Sequence, residues 1–330
     1  MSQLAAAGDS FRAFFDAVEQ FFDQLAAVSW GALAFAMLAF VGYLTLRSRA
    51  SFNIIRAAYP GTRFEWRKVW GAYFAGYGFN SVIPARGGDV VRLFLTKNAV
   101  PGASYPAIAA TFAVEMVFDL MMGVLILSFA FTQGVFPKPP DFSKLPAFDL
   151  AFLAEHPRFT LFLLTFLAVG GLVAVALLSL RVKAFWARVR QGLTILQDRE
   201  RFVREVLAVQ LAGWVLRFIA FWFLLEAFHV GGSVKNVLLV LGVNAVAAAV
   251  PFTPGGAGVQ QALLAKVFAG TAASATVAAY SVGQQVAIAA TTFAIGFASL
   301  VFIFRIRSFK EAIARGREER DAERGAAARA

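Results

Sequence analysis

Apolar stretches of bilayer-spanning length constrain this chain more than any other feature. Residues 28–46, 105–131, 159–180, 206–228 and 277–304 each approach the roughly 20 apolar residues that a helix needs to cross hydrocarbon. Lipid offers backbone N–H and C=O groups no partners, so such stretches must satisfy their own hydrogen bonds as helices. Composition agrees, since 59% hydrophobic residues against 15% charged and a mean hydropathy of +0.67 exclude a soluble core. The expected fold is an all-α polytopic membrane protein with about five full spans and two re-entrant or short-helix hairpins. The absence of cysteine rules out disulfides and zinc-thiolate sites, and two histidines speak against a histidine-rich metal site. No metal or cofactor is expected. The net charge of +11 belongs to loops beside anionic headgroups rather than to nucleic-acid binding.

Charge between the spans sets the orientation. Arg47, Arg49, Arg56, Arg63, Arg67 and Lys68 follow the first span with only Glu65 opposing, which places residues 47–68 in the cytosol and the acidic N-terminus outside. Residues 132–158 hold three basic and three acidic residues and suit an external loop, whereas 181–205 hold seven Lys or Arg against three acids and suit the cytosol. Residues 1–27 read as an amphipathic helix, with Phe11, Phe14, Phe15, Val18, Phe21, Phe22 and Leu25 on one stripe. The tail 305–330, with eight basic and five acidic residues, reads as solvated and cytosolic. A multi-pass plasma-membrane protein is implied.

Two apolar pieces are too short for a comfortable span and carry helix breakers. In 69–100 the break is Pro84-Ala85-Arg86-Gly87-Gly88, and in 237–269 it is Pro251-Phe252-Thr253-Pro254-Gly255-Gly256-Ala257-Gly258. Each gives a broken hairpin between two spans, so residues 28–131 and 206–304 are two repeat halves of opposite orientation, with 159–180 as connector. Inverted repeats with paired broken helices are the pattern of alternating-access transporters. A topology in which the second hairpin's arms span fully has the same parity and stays open. The whole of 28–304 forms one transmembrane domain.

The polar residues inside this frame are the candidate site. Asp89 is placed as N-cap of the helix that carries Arg92, and Arg86, Gly87, Gly88, Asp89 and Arg92 surround a helix start suited to an anion. Gly255, Gly256 and Gly258 offer a second such start. Glu115 and Asp119, four residues apart on one helical face, and Arg217 lie mid-span, where isolated charge is costly. Together with Arg86, Asp89 and Arg92 they make a balanced set of three arginines and three carboxylates. A salt-bridge network that locks the helices is the bland reading of Glu115, Asp119 and Arg217; a simple kink is that of the glycines.

These motifs resemble the lysylphosphatidylglycerol synthase transmembrane-region family, also called the flippase-like domain family, over about residues 28–304. Its Pro-x-Arg-x-Gly-Glu-x-x-Arg pattern falls on Pro84, Arg86, Gly88, Asp89 and Arg92, with Asp for Glu. Its Glu-Arg-x-x-Asp falls on Glu115 and Asp119, with Met116 for Arg, and its Gly-Gly-x-Gly-x-x-Glu on Gly255, Gly256, Gly258 and Gln261, with Gln for Glu. The resemblance implies movement of lipids with phosphate-containing headgroups between leaflets, without a fused soluble enzyme here. The partner is then an anionic phospholipid or a polyprenyl-phosphate-linked lipid, held by Arg86 and Arg92 and balanced by Glu115 and Asp119 when the site is empty. A homodimer or an envelope-synthesis partner is compatible. Rival readings are an integral-membrane transferase acting on a lipid phosphate and a non-catalytic subunit of an envelope synthase.

Overall fold

The computed structural model describes residues 26–83, 86–133, 185–248 and 258–305, together with Glu19 and Asp23. Among these the regular structure is all helical. The principal helices are α1 Trp30–Ala58, α2 Trp66–Asn80, α3 Gly87–Ala99, α4 Tyr105–Thr132, α5 Arg199–Ala227, α6 Val234–Ala248, α7 Val259–Val267 and α8 Ser274–Phe302; residues 185–192 are helical as well, followed by a 3-10 turn at Thr194–Gln197. Helix α5 contains one π-helical turn, Val203–Leu207. The expected amphipathic helix 1–27, apart from its end, the connector span 159–180, the breaks at 84–85 and 249–257 and nearly all of the tail lie outside the described residues.

Breakers and lipid set the element lengths. Helix α1 stops one residue before Pro60-Gly61, and α4 starts behind Pro101-Gly102 with Pro106 in its first turn, where a missing N–H costs nothing. Helices α1, α4, α5 and α8 are long and apolar enough to cross a membrane. Helices α2 and α3, of 15 and 13 residues, are not. On α4, Met116, Val117, Leu120, Met121, Val124 and Leu125 are exposed, an apolar stripe that suits acyl chains.

The first span differs from expectation. It does not end at Leu46 but continues for twelve residues to Ala58, so Arg47, Arg49 and Arg56 are helical rather than in a loop. Nothing between Leu46 and Pro60 breaks a helix, and Ala50, Ile54 and Ala57 continue a buried stripe at helical spacing. Helix α5 likewise begins inside the expected loop, at Arg199 rather than Val206, capped by the Asp198 side chain accepting from the Arg201 N–H at 3.0 Å.

Packing pairs the two ends of the chain. Helices α1 and α5 run antiparallel along their length: Ser29 N–H donates to Ala227 O at 2.9 Å, Gly42 meets Leu216, and Asn53 Nδ2 donates to Glu205 O at 2.8 Å. Helix α2 crosses α8 antiparallel, so closely that a Cβ on Gly78 would lie 2.7 Å from Thr292 O and one on Gly296 2.7 Å from Phe74 O. Helix α6 packs on α4. Phe40, Leu44, Phe74, Leu224, Leu225 and Tyr280 fill the shared core.

Candidate functional site

The break between α2 and α3 is held by polar contacts. Asn80 Nδ2 donates to Asp89 Oδ1 at 2.8 Å, and Arg86 Nε donates to Asp89 Oδ2 at 2.9 Å. Helix α3 begins at Gly87, two residues before the expected N-cap, so Asp89 lies in its first turn and Arg86 occupies the cap with φ 56°. That left-handed backbone is strained for a residue with a Cβ. Crowding explains the early start: Gly88 packs against the Gly76 carbonyl and Asn80, where no side chain fits, and only a backbone already turned helical brings the strands of the break so close. The Arg86 side chain is 64% exposed.

Two turns further into the bundle four helices meet on buried charge. From α1, Arg47 Nη1 and Nη2 donate to the two carboxylate oxygens of Asp119 on α4, both at 2.5 Å, a two-pronged pairing suited to the guanidinium fork. Arg47 Nε donates to the Tyr73 hydroxyl of α2 at 2.7 Å and Nη1 to the Tyr43 hydroxyl at 3.1 Å. Tyr73 passes the chain on, its hydroxyl donating to Glu115 Oε2 at 3.2 Å. Glu115 Oε1 accepts from Arg92 Nη2 of α3 at 2.6 Å, and Arg92 Nη2 also reaches Ser51 Oγ at 3.0 Å. The Arg92 guanidinium lies 3.9 Å from the ring centres of both Tyr73 and Phe112, a cation between two aromatic faces.

The cluster carries no net charge. The side chains of Glu115, Arg47 and Arg92 are 4%, 8% and 13% exposed, and only Asp119, at 38%, reaches outward. A lone charge at the bilayer centre costs about 2.5–3.5 kcal/mol on insertion scales, so each of these groups is tolerated in apolar surroundings only together with its partner. The fourfold spacing of Glu115 and Asp119 works as expected, turning both toward α1. Met116, at the position where the family pattern has arginine, points away and is exposed. Arg47 and Arg92 supply the cations instead.

The expected set of three arginines and three carboxylates does not form one site. Arg86 and Asp89 pair with each other at the α3 start, and Arg217 joins no carboxylate among the described residues. Its guanidinium lies over Trp214, Tyr43 and Phe221 at 4.6, 5.5 and 5.9 Å, while Nε is buried without an acceptor. The reason is direction: the α1–α5 crossing presents Arg217 to the rings, and Asp119 is already taken by Arg47. At the second break Gly258 has φ 85° and its N–H donates to Gln261 Oε1 at 2.6 Å, with Gln261 Nε2 donating to Gln285 at 2.7 Å. Gly255 and Gly256 lie outside the described residues. The amide of Gln261 thus closes the α7 start with the oxygen that a glutamate would also offer.

Arg47 and Tyr73 are the residues that reading the sequence missed. Positive charge at the end of an apolar run suggests a loop, yet Ser48, Ser51 and the buried stripe Ala50, Ile54, Ala57 beyond Arg47 continue the helix. Among known protein families, the model described as lysylphosphatidylglycerol synthase TM region matches residues 10–296. Neither the curated proteins nor the solved structures give a match. With helices of spanning length and a match over most of its length, the chain is a multi-pass membrane protein that belongs to the lysylphosphatidylglycerol synthase TM-region family.

Proposed function

We propose that this protein moves an anionic, phosphate-containing lipid between the leaflets, with its headgroup entering at the α3 start beside Arg86 and Arg92. The observation that carries this reading is the closed cluster of Arg47, Arg92, Glu115 and Asp119 joining α1 to α4. A phosphate matches the guanidinium fork as a carboxylate does and brings more acceptor oxygens. A headgroup that replaces Glu115 on Arg92 releases α3 from α4, and that differential contact is what a ligand needs to shift a two-state equilibrium. Helices α2–α3 and α6–α7 serve as re-entrant hairpins of two inverted halves. Supporting this, exchanging the halves maps the packed pairs onto themselves: α1 with α5 stays, and α2 with α8 becomes α6 with α4. A lipid-phosphate transferase needs a carboxylate free to act as base, and Glu115 and Asp119 are both committed to arginines.

The test is movement of an enzyme-accessible anionic lipid in proteoliposomes, comparing wild type with Arg86→Gly at matched amounts of folded protein. Glycine keeps the left-handed cap and removes the side chain with its guanidinium. Movement by wild type and its loss in Arg86→Gly are expected. A wild type that moves no member of a panel of phospholipids and polyprenyl phosphates refutes the translocation reading and leaves the transferase and the scaffold.

A further inference from the structure

Arg47 and Arg217 stand in similar settings with opposite outcomes. Arg47 is the eighteenth residue of α1, Trp30–Ala58, and Arg217 the nineteenth of α5, Arg199–Ala227. Each follows a glycine at the α1–α5 crossing and then an aromatic residue, Gly42-Tyr43 in one helix and Gly213-Trp214 in the other. Both guanidiniums lie over the same Tyr43 ring, at 5.7 and 5.5 Å. Arg47 has its counter-charge built in; Arg217 meets none among the described residues.

Among the described residues no carboxylate supplies that missing charge. Glu115 and Asp119 are the carboxylates of the mid-span turns, and both are bonded to Arg92 and Arg47. Glu226, nine residues beyond Arg217 at the end of α5, accepts from the Gly232 N–H at 2.8 Å. Glu205, at the other end of α5, pairs with Arg201 and Arg56. Aromatic faces soften the burial of a guanidinium but accept none of its in-plane N–H bonds. Arg217 therefore keeps a buried donor without an acceptor and a unit of positive charge beside a neutral cluster. A planar, fixed fork in that state is a receptor for a tetrahedral oxyanion.

We infer that Arg217 binds a phosphate-type anion supplied from outside the chain, so that one repeat half carries its own anion and the other takes the ligand's. This rests on the translocation reading only for the anion being a headgroup on its way between leaflets. Binding at Arg217 stands without it. Trp214, whose ring lies 4.6 Å from the guanidinium, reports occupancy.

The experiment is titration of the full chain in detergent, reading the tryptophan fluorescence difference between wild type and Trp214→Phe. The probes are short-chain phosphatidylglycerol, short-chain phosphatidylcholine and inorganic phosphate. A saturable phosphatidylglycerol signal is expected, weaker by about tenfold or more in Arg217→Gln, as loss of a charge-assisted bond requires, and retained within a few-fold in Arg217→Lys. A response to phosphatidylglycerol but not to phosphate identifies a lipid headgroup; a response to phosphate as well identifies a free anion. Either supports the site. Equal signals from phosphatidylglycerol and phosphatidylcholine, no signal from phosphatidylglycerol or phosphate, or affinity unchanged in Arg217→Gln overturns it. If Arg217→Gln does not fold, the lysine variant and phosphate competition on wild type decide. Binding without lipid movement in proteoliposomes sinks the translocation reading alone, and movement without binding sinks the Arg217 site alone.

Discussion

Glu115 is the most consequential single carboxylate, because it is nearly inaccessible and links Arg92, Tyr73 and, at 3.8 Å, Arg47. Removing one member of a buried pair leaves its partner's charge uncompensated, at about 3–5 kcal/mol. Glu115→Gln and Arg92→Gln are each expected to lower unfolding stability in detergent by an amount of that order, and the double variant by clearly less than the sum. Strict additivity in that cycle would show that the two do not act as a pair. Asp119→Asn, with a side chain 38% exposed, is expected to cost about 1 kcal/mol, because water already screens part of the charge. Arg86→Gly is expected to leave stability unchanged or raise it by up to about 1 kcal/mol, since it relieves a left-handed backbone at an exposed position. A marked loss of stability in that variant would make Arg86 a clamp on Asp89. Arg92, Glu115 and Asp119 are legible in the sequence as charges out of place; Arg47 and the pairing are not, since Arg47 and Asp119 are separated by 72 positions.

Close backbone approach is what the helices ask of their glycines. A Cβ at position 78 meets the backbone of α8, whereas one at Gly123 on α4 meets nothing within 4 Å. Gly78→Ala is therefore expected to destabilise by about 1–3 kcal/mol through overpacking, and Gly123→Ala to be neutral or to stabilise by up to about 1 kcal/mol. Thermal melts in detergent that rank the two variants the other way would mean that α2 and α8 are not in backbone contact. The existence of two short helices on either side of each breaker followed from proline and glycine, which act locally. Helix ends are less legible: α1 runs on to Ala58 and α5 begins at Arg199, although clustered positive charge at these places suggests a boundary. Charge ends a helix only if it must reach water, and Arg47 meets Asp119 inside the bundle instead.

At the scale of the molecule, translocation by rocking halves requires that α2 move relative to α8, the helix of the other half against which it packs. The chain has no cysteine, so a pair can be introduced on a clean background. Phe79 and Phe293, whose ring centres lie 5.6 Å apart, mark a suitable place. A short thiol-reactive bridge between Phe79→Cys and Phe293→Cys is expected to stop lipid movement in proteoliposomes, with a cleavable bridge restoring it on reduction. Undiminished movement in the bridged protein would rule out relative motion at this contact. By itself, the sequence determined the helical class, the places where helices break and the few charges that lipid would not tolerate alone. Those properties follow from local composition and from the lack of backbone partners in hydrocarbon. Which arginine meets which carboxylate, and that Arg217 meets none among the described residues, is settled by how the helices pack. The rotation of each helix about its axis is set by side chains of other helices, far away along the chain, and so is not written in any one segment.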